Sequence, residues 1–218
     1  MKVVSIKREN PREDGVFKIE FSDGVSILFS VDYLSEQVIP GSWNQGSAKQ
    51  NSLDHDSPEE GRDLSVSEEE ELRFAADCYK AEKVALSLIA RAEQSKLRLT
   101  AKLEKKGIGN SVTKAVIHKL LERGLLDDER YAELWVRSCL ARKTPSPLWL
   151  LVSLGKRGID RDSSHNAIKK VLDEETEYSL LLNYIDKMDD LEKEKGLRSL
   201  LKYEGFSPET LNRFFDTQ

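Results

Sequence analysis

Three cations in the segment KLRLTAKLEKKGI, Arg98, Lys102 and Lys105, follow one another at intervals of four and three residues. A helix carries such residues on one face, and Lys106 stands beside them. Cations arranged in this way attract a phosphate backbone or an acidic protein groove. Arg130 and Arg137, seven residues apart, share a face of the next long helix, and Arg142 and Lys143 follow it. Lys156 and Arg157 in LGKRGI repeat Lys105 and Lys106 in LEKKGI. The candidate contact residues are therefore Arg98, Lys102, Lys105, Lys106, Arg137, Arg142, Lys143, Lys156 and Arg157.

Catalytic groupings are much weaker. Asp127, Asp128 and Glu129 could serve a metal-dependent nuclease, yet an Asp cap followed by Glu in the first turn of a helix explains them without a metal. His55, His118 and His165 show no HExxH or HxH spacing. No GxxxxGK[ST] phosphate loop is present, and the near match KKGIGN sits where a helix C-cap suffices. Two cysteines, Cys78 and Cys139, make neither a disulfide framework nor a CxxC metal site. No enzyme activity, metal or cofactor is expected. Tyr131, Trp135, Leu99, Leu103, Leu120 and Leu125 are assigned to the core, so no aromatic stacking platform for single strands is expected.

The cations need elements to position them. Phe17, Ile19 and Phe21 alternate with polar residues, as do Val25, Ile27 and Phe29, and Ser22-Asp23-Gly24 lies between. A three-residue hairpin loop sets Phe21 against Val25, Ile19 against Ile27 and Phe17 against Phe29, all on one face. From about residue 68 the period becomes helical. Ala85, Leu88, Ile89 and Ala92 form one stripe, and a helix capped by Ser95 presents Leu99 and Leu103 and stops at Gly107. The next runs from about Ser111 to Arg123, burying Val116, Ile117, Leu120 and Leu121. Asp128 caps a helix with the stripe Ala132, Trp135, Val136 and Cys139. A later one carries Tyr178, Leu181, Leu182 and Ile185, and the last begins Ser207-Pro208-Glu209.

LEKKGI, LGKRGI and LKYEGF align Gly107, Gly158 and Gly205, 51 and 47 residues apart, which predicts tandem three-helix units. The expected fold is mainly α: tandem three-helix repeats in an elongated arrangement, preceded by a small N-terminal β-hairpin. The expected segments are a β element at 1–40, an acidic linker and helix lead-in at 41–71, and repeats at 72–126, 127–174 and 175–218. The net charge of -5 argues against a generally polyanion-binding surface. The charge is nevertheless segregated, because residues 81 to 172 hold 19 Lys and Arg against 10 Asp and Glu. MKVVSIKREN lacks the apolar stretch of a secretory signal, and LWLLVSL at 148–154 falls short of the roughly 20 residues that span a bilayer. A cytoplasmic protein without membrane contact is expected.

The run VALSLIARAEQSKLRLTAKLEKKGI, then KLLERGLLDDERYAELWVRSCLARK and LGKRGID, resembles the bacterial RecX recombination regulators, with GLLDDERYA at 124–132 its most specific piece. The resemblance implies a non-enzymatic monomer that binds RecA-DNA filaments and inhibits RecA recombinase, ATPase and coprotease activities in recombination and SOS repair. RecA filaments are the expected partner, with single- or double-stranded DNA as a second contact. The alternative is a helix-turn-helix DNA-binding regulator using Lys114, His118 and Lys119 on the Ser111–Arg123 helix. TPSPLWLLVSL at 144–154 departs from the family, whose members often carry a basic turn and an Arg-rich helix there, and it offers Trp149 and Leu150 for packing or for a partner.

Overall fold

The turn Ser22-Asp23-Gly24 sets the register of the first element. Gly24 takes φ +83°, and its N–H donates to the Phe21 carbonyl at 2.9 Å while the Phe21 N–H donates to the Val25 carbonyl at 2.9 Å. Phe17 then pairs with Phe29 and Ile19 with Ile27, the register predicted for the longer loop. Val25 stays in the turn and is exposed, so it leaves the apolar face assigned to it. A computed structural model describes residues 2–9, 15–35, 63–188 and 196–216; nearly all of the expected linker lies outside them. Strands β1 (Val3–Arg8), β2 (Val16–Phe21) and β3 (Ser26–Ser30) form an antiparallel sheet in that order.

The described residues contain nine α-helices: α1 (Val66–Arg91), α2 (Lys96–Lys105), α3 (Asn110–Glu122), α4 (Asp128–Leu140), α5 (Pro147–Gly155), α6 (Arg161–Val171), α7 (Glu174–Asp186), α8 (Leu197–Tyr203) and α9 (Pro208–Asp216). The chain divides into two compact units, Met1–Ala90 with Lys102–Leu120, and Arg91–Ala101 with Leu121–Gln218. In the first, the sheet face of Val3, Ile19, Phe21, Ile27 and Phe29 packs with Leu72, Ala75 and Ala76 of α1. Burying each large side chain contributes about 1.5–3 kcal/mol. That packing moves the buried row of α1 toward its start. Of the predicted stripe only Ala85 is fully buried, and Ala92 is exposed beyond the helix end. The acidic lead-in is a capping box, in which the Ser65 Oγ accepts from the Glu68 N–H at 3.3 Å and the Glu68 carboxylate accepts from the Ser65 N–H at 2.8 Å.

Three helices end alike. Gly107, Gly158 and Gly205 adopt φ +82°, +83° and +88°, and the next residue's N–H reaches back to Leu103, Leu154 and Leu201 at 3.2 Å each. These are Schellman endings, and all three leucines are fully buried. In the second unit two of the endings also serve as seats. A Cβ on Gly158 would lie 2.5 Å from the Leu97 Cβ, and one on Gly205 would lie 3.2 Å from the Leu148 nitrogen. Ser95, in front of α2, donates its hydroxyl to the Arg157 carbonyl at 2.8 Å. One repeat further on, the Leu148 N–H of α5 donates to the Glu204 carbonyl at 2.9 Å. The start of one second helix thus rests on the end of the next.

Helices α4 to α9 share one apolar cluster, which includes Val136, Leu150, Leu154, Ile168, Leu181, Leu201 and Phe214. Several expected core positions are corrected by the structure. Leu125 is 39 % exposed and its neighbour Leu126 is buried instead. Leu121 and Leu182 face solvent, with Leu120 and Leu180 taking the inward positions. The cap of α4 is Asp127, whose Oδ1 accepts from the Glu129 and Arg130 N–H groups, and Asp128 is the first helical residue.

Gly158→Ala is expected to destabilise the second unit by roughly 2–4 kcal/mol, through the positive φ and the collision with Leu97. Gly124→Ala, at φ +65° with open space around it, should cost only about 1–2 kcal/mol. Urea unfolding followed by tryptophan emission checks this, and equal midpoints for the two variants would show that Leu97 yields freely. Acid stability offers a second test. Asp160 and Asp173 cap α6 and α7. The Ser163 N–H holds the first, and the Thr176 hydroxyl and N–H hold the second, below the usual carboxylate range. Their contribution is complete above the unfolded-state pKa and is lost as pH falls through the lower folded values. Replacing both by Asn should flatten the acid limb of a pH–stability curve; an unchanged limb would assign the acid transition to other groups.

Candidate cationic interface

The cations of α2 follow from its amphipathic pattern. Leu99 and Leu103 are buried, and Lys105 and Lys106 remain exposed at the Gly107 ending. Lys102 is half-buried, whereas Arg98 is exposed and donates from Nη1 to the Tyr131 hydroxyl at 3.2 Å. Lys106 also borders a cavity of about 560 Å³ with Asp77, Lys80, Ile108 and Val112. Arg137 on α4 and Lys156, which caps the end of α5, are exposed. Arg142 donates from Nε to the Ser138 carbonyl at 3.1 Å and from Nη2 to the Ser138 hydroxyl.

The second unit assembles a stack that the sequence does not announce. Trp135 and Trp149 lie with ring centroids 5.9 Å apart and planes inclined by 21°. The Arg157 guanidinium lies 4.2 Å from the Trp135 centroid and the Lys143 ammonium 5.6 Å from that of Trp149. Two of the predicted cations are thus held by aromatic faces, an attraction that leaves their charge intact. Trp135, assigned to the core, is only half-buried, and Trp149 is 42 % exposed, while Leu150 is fully buried. The reason lies in the start of α5. The Ser146 hydroxyl accepts from the Trp149 N–H at 3.2 Å and Pro147 occupies the first turn. This cap directs Leu150 inward and leaves Trp149 outside.

Trp149 of this stack lines a cavity of about 520 Å³ with Arg142, Lys143, Thr144, Ser146, Tyr184, Lys187 and Glu204. Tyr184 and Lys187 were missed because they come from α7 and the residue capping its end, in a repeat that reads as acidic. Cys139 lies near these cations, but burial outweighs the pull of Arg157, Arg142 and Lys143 and keeps its thiol above the usual range. A reactive thiolate is not formed there.

Other cations are neutralised. Arg130 pairs with Glu93 at 2.6 Å, Lys170 with Glu133 at 2.5 Å, Arg213 with Glu175 at 2.7 Å and Lys119 with Asp32 at 3.7 Å. Among the described residues, Lys105, Lys106, Arg137, Arg142, Lys143 and Lys156 have no such carboxylate partner.

The acidic cluster is a joint. Asp127 caps α4, Asp128 Oδ1 accepts from the Lys96 N–H at 2.7 Å and so caps α2, and Glu129 is exposed. Arg130 also donates to the Gly124 and Leu125 carbonyls at 3.2 and 3.3 Å. GLLDDERYA therefore fastens the start of α4 to the start of α2. Among the described residues no group of three or more His, Cys, Asp or Glu side chains is placed to hold a metal. His118 and His165 are exposed on separate helices, and His55 lies outside the described residues. No described helix is long and apolar enough to cross a membrane.

Similarity to known proteins follows the same residues. The family model for the second three-helix domain of RecX matches residues 127–167. Regulatory protein RecX of Treponema pallidum (strain Nichols) is 33 % identical over 140 residues, covering 64 % of this chain and 77 % of that protein. Regulatory protein RecX of Pseudomonas fluorescens is 34 % identical over 88 residues, covering 40 % of this chain and 56 % of its own length. A solved structure of regulatory protein RecX superimposes with a TM-score of 0.66 at 16 % identity over 100 % of this chain and 99 % of that one. RecX from Lactobacillus salivarius gives 0.51 at 23 % identity, over 65 % of this chain and 96 % of that one. These two structures share the fold; the sequence relatives and the three-helix match go further, and the chain belongs to the RecX family of regulatory proteins.

Proposed function

We propose that this chain binds RecA-DNA filaments and inhibits RecA recombinase, ATPase and coprotease activities, acting as a cytoplasmic monomer with no catalytic step of its own. The observation that carries the reading is the sorting of charge. Cations that build the fold are paired with carboxylates, whereas among the described residues Lys105, Lys106, Arg137, Arg142, Lys143 and Lys156 are not. An unpaired surface cation keeps its full attraction for a polyanionic or acidic partner. Arg98, Lys102 and Arg157 complete the proposed contact set. Arg98 and Arg157 contact neutral groups, a tyrosine hydroxyl for one and an indole ring with the Ser153 carbonyl for the other. Several weak contacts on linked modules reinforce one another, so a filament of repeating subunits suits such a molecule. The three repeats at 72–126, 127–174 and 175–218 are the proposed modules.

The helix-turn-helix alternative draws less support. Its reading helix, α3, turns Val112, Val116, Ile117 and Leu120 inward, and Lys119 is engaged by Asp32.

The test is DNA-dependent ATP hydrolysis by RecA with increasing amounts of this chain. Hydrolysis is expected to fall. The quadruple variant K105A/K106A/R137A/K156A should need roughly tenfold more protein for the same effect, the scale expected when linked weak contacts are removed. Lys114→Ala should leave inhibition unchanged. Undiminished hydrolysis at excess wild-type protein would refute the proposal, and loss of activity with Lys114→Ala alone would favour the DNA-reading helix.

A further inference from the structure

We infer that the groove beside Trp149 is a binding subsite for single-stranded nucleic acid, taking one base on the exposed indole and its flanking phosphates on Arg142, Lys143 and Lys187. Such a subsite deepens the function proposed above and rests on it, since Arg142 and Lys143 belong to the contact set named there, but the contact itself needs no recombinase filament.

The chemistry of the walls selects the ligand. Arg142 donates to Ser138, Lys187 donates to the Thr144 hydroxyl at 3.1 Å, and Lys143 lies over the Trp149 ring. None of the three has a carboxylate partner among the described residues. Three such cations around about 520 Å³ of open space attract an anion, and the space falls within the range of small-ligand sites. The aromatic wall distinguishes between anions. An acidic peptide gains little from an indole, whereas every nucleobase has a face to stack on it. Trp149 is backed by Trp135 and fixed by the Ser146 cap, so stacking requires no ordering of the ring. Among the described residues the one carboxylate lining the groove, Glu204, would repel a polyacidic peptide, but it can accept from the exocyclic amine of a base. A duplex hides its base faces and cannot use the indole.

The experiment is fluorescence anisotropy of a labelled oligodeoxynucleotide titrated with the full chain in the absence of RecA. Single strands should bind more tightly than the matching duplex. Trp149→Ala should weaken single-strand binding roughly tenfold, within the range measured for loss of one base stack, and Trp149→Phe should retain most of it. Arg142→Ala with Lys187→Ala should reduce the slope of log affinity against log salt by about 1.4, the value for two phosphates on a single strand. Far-UV circular dichroism on each variant guards against unfolding, and Trp149→Phe keeps the test valid if Trp149→Ala misfolds. Absence of single-strand binding, equal affinity in wild type and Trp149→Phe/Arg142→Ala/Lys187→Ala, or displacement of the oligonucleotide by polyglutamate at comparable charge concentration would each overturn the inference.

Discussion

Close backbone approach at a helix ending is the constraint on which the second unit depends. Leu97 can rest on Gly158, and Leu148 on Gly205, only because neither glycine carries a Cβ. The same glycines must also take the left-handed conformation that ends the helix, so one residue type meets a conformational and a steric demand together. Hydrogen bonds at both junctions, from Ser95 to the Arg157 carbonyl and from Leu148 to the Glu204 carbonyl, use acceptors that a helix end leaves free. A short helix triplet buries little apolar surface alone. Seating each second helix on the next one's ending lets neighbours share it.

The need to join neighbours explains the most specific sequence motif. GLLDDERYA concentrates acidic and basic groups, and such density invites a catalytic reading. In the structure four of its five charged or phenolic groups are committed to the joint, with Glu129 left exposed: Asp127 to α4, Asp128 to α2, Arg130 to Glu93 and two carbonyls, Tyr131 to Arg98. A strongly constrained motif therefore marks architecture here, and contact with a partner falls to residues with fewer obligations. Gly107 shows the converse. It shares the helix ending but has nothing within 4 Å of its missing Cβ, so at this position the glycine answers the backbone alone.

How much of this was legible follows from the range of each interaction. The hairpin register was readable because a turn glycine and alternation act over a few residues, and the three helix endings were readable because a Schellman glycine is also local. Errors cluster where two apolar residues stand side by side, in helices at Leu120-Leu121 and Leu181-Leu182 and in the connection between α3 and α4 at Leu125-Leu126. Periodicity alone leaves the inward member ambiguous, and tertiary packing decides it. Asp127 and Asp128 were misassigned for the same reason, since the second of them serves a helix 32 residues away. The nine candidate cations could be located on helices or just past their ends, but whether each would meet a carboxylate depends on pairs such as Arg130 with Glu93 and Lys170 with Glu133, both 37 residues apart.

The segment TPSPLWLLVSL offers little binding surface when charges are counted along the chain. Its consequence in the fold is different. Ser146 and Pro147 start α5 so that Leu150 and Leu154 enter the core, which frees Trp149 to stack on Trp135 at the surface. The pair then supports Arg157 and Lys143 through ring faces. A carboxylate in either place would hold the cation as firmly but cancel its charge, whereas an indole restricts its motion and leaves the field directed outward. An apolar segment can therefore support a cationic surface by fixing the cations beside it, and whether it does so is set by one N-cap that decides which side of a helix faces solvent.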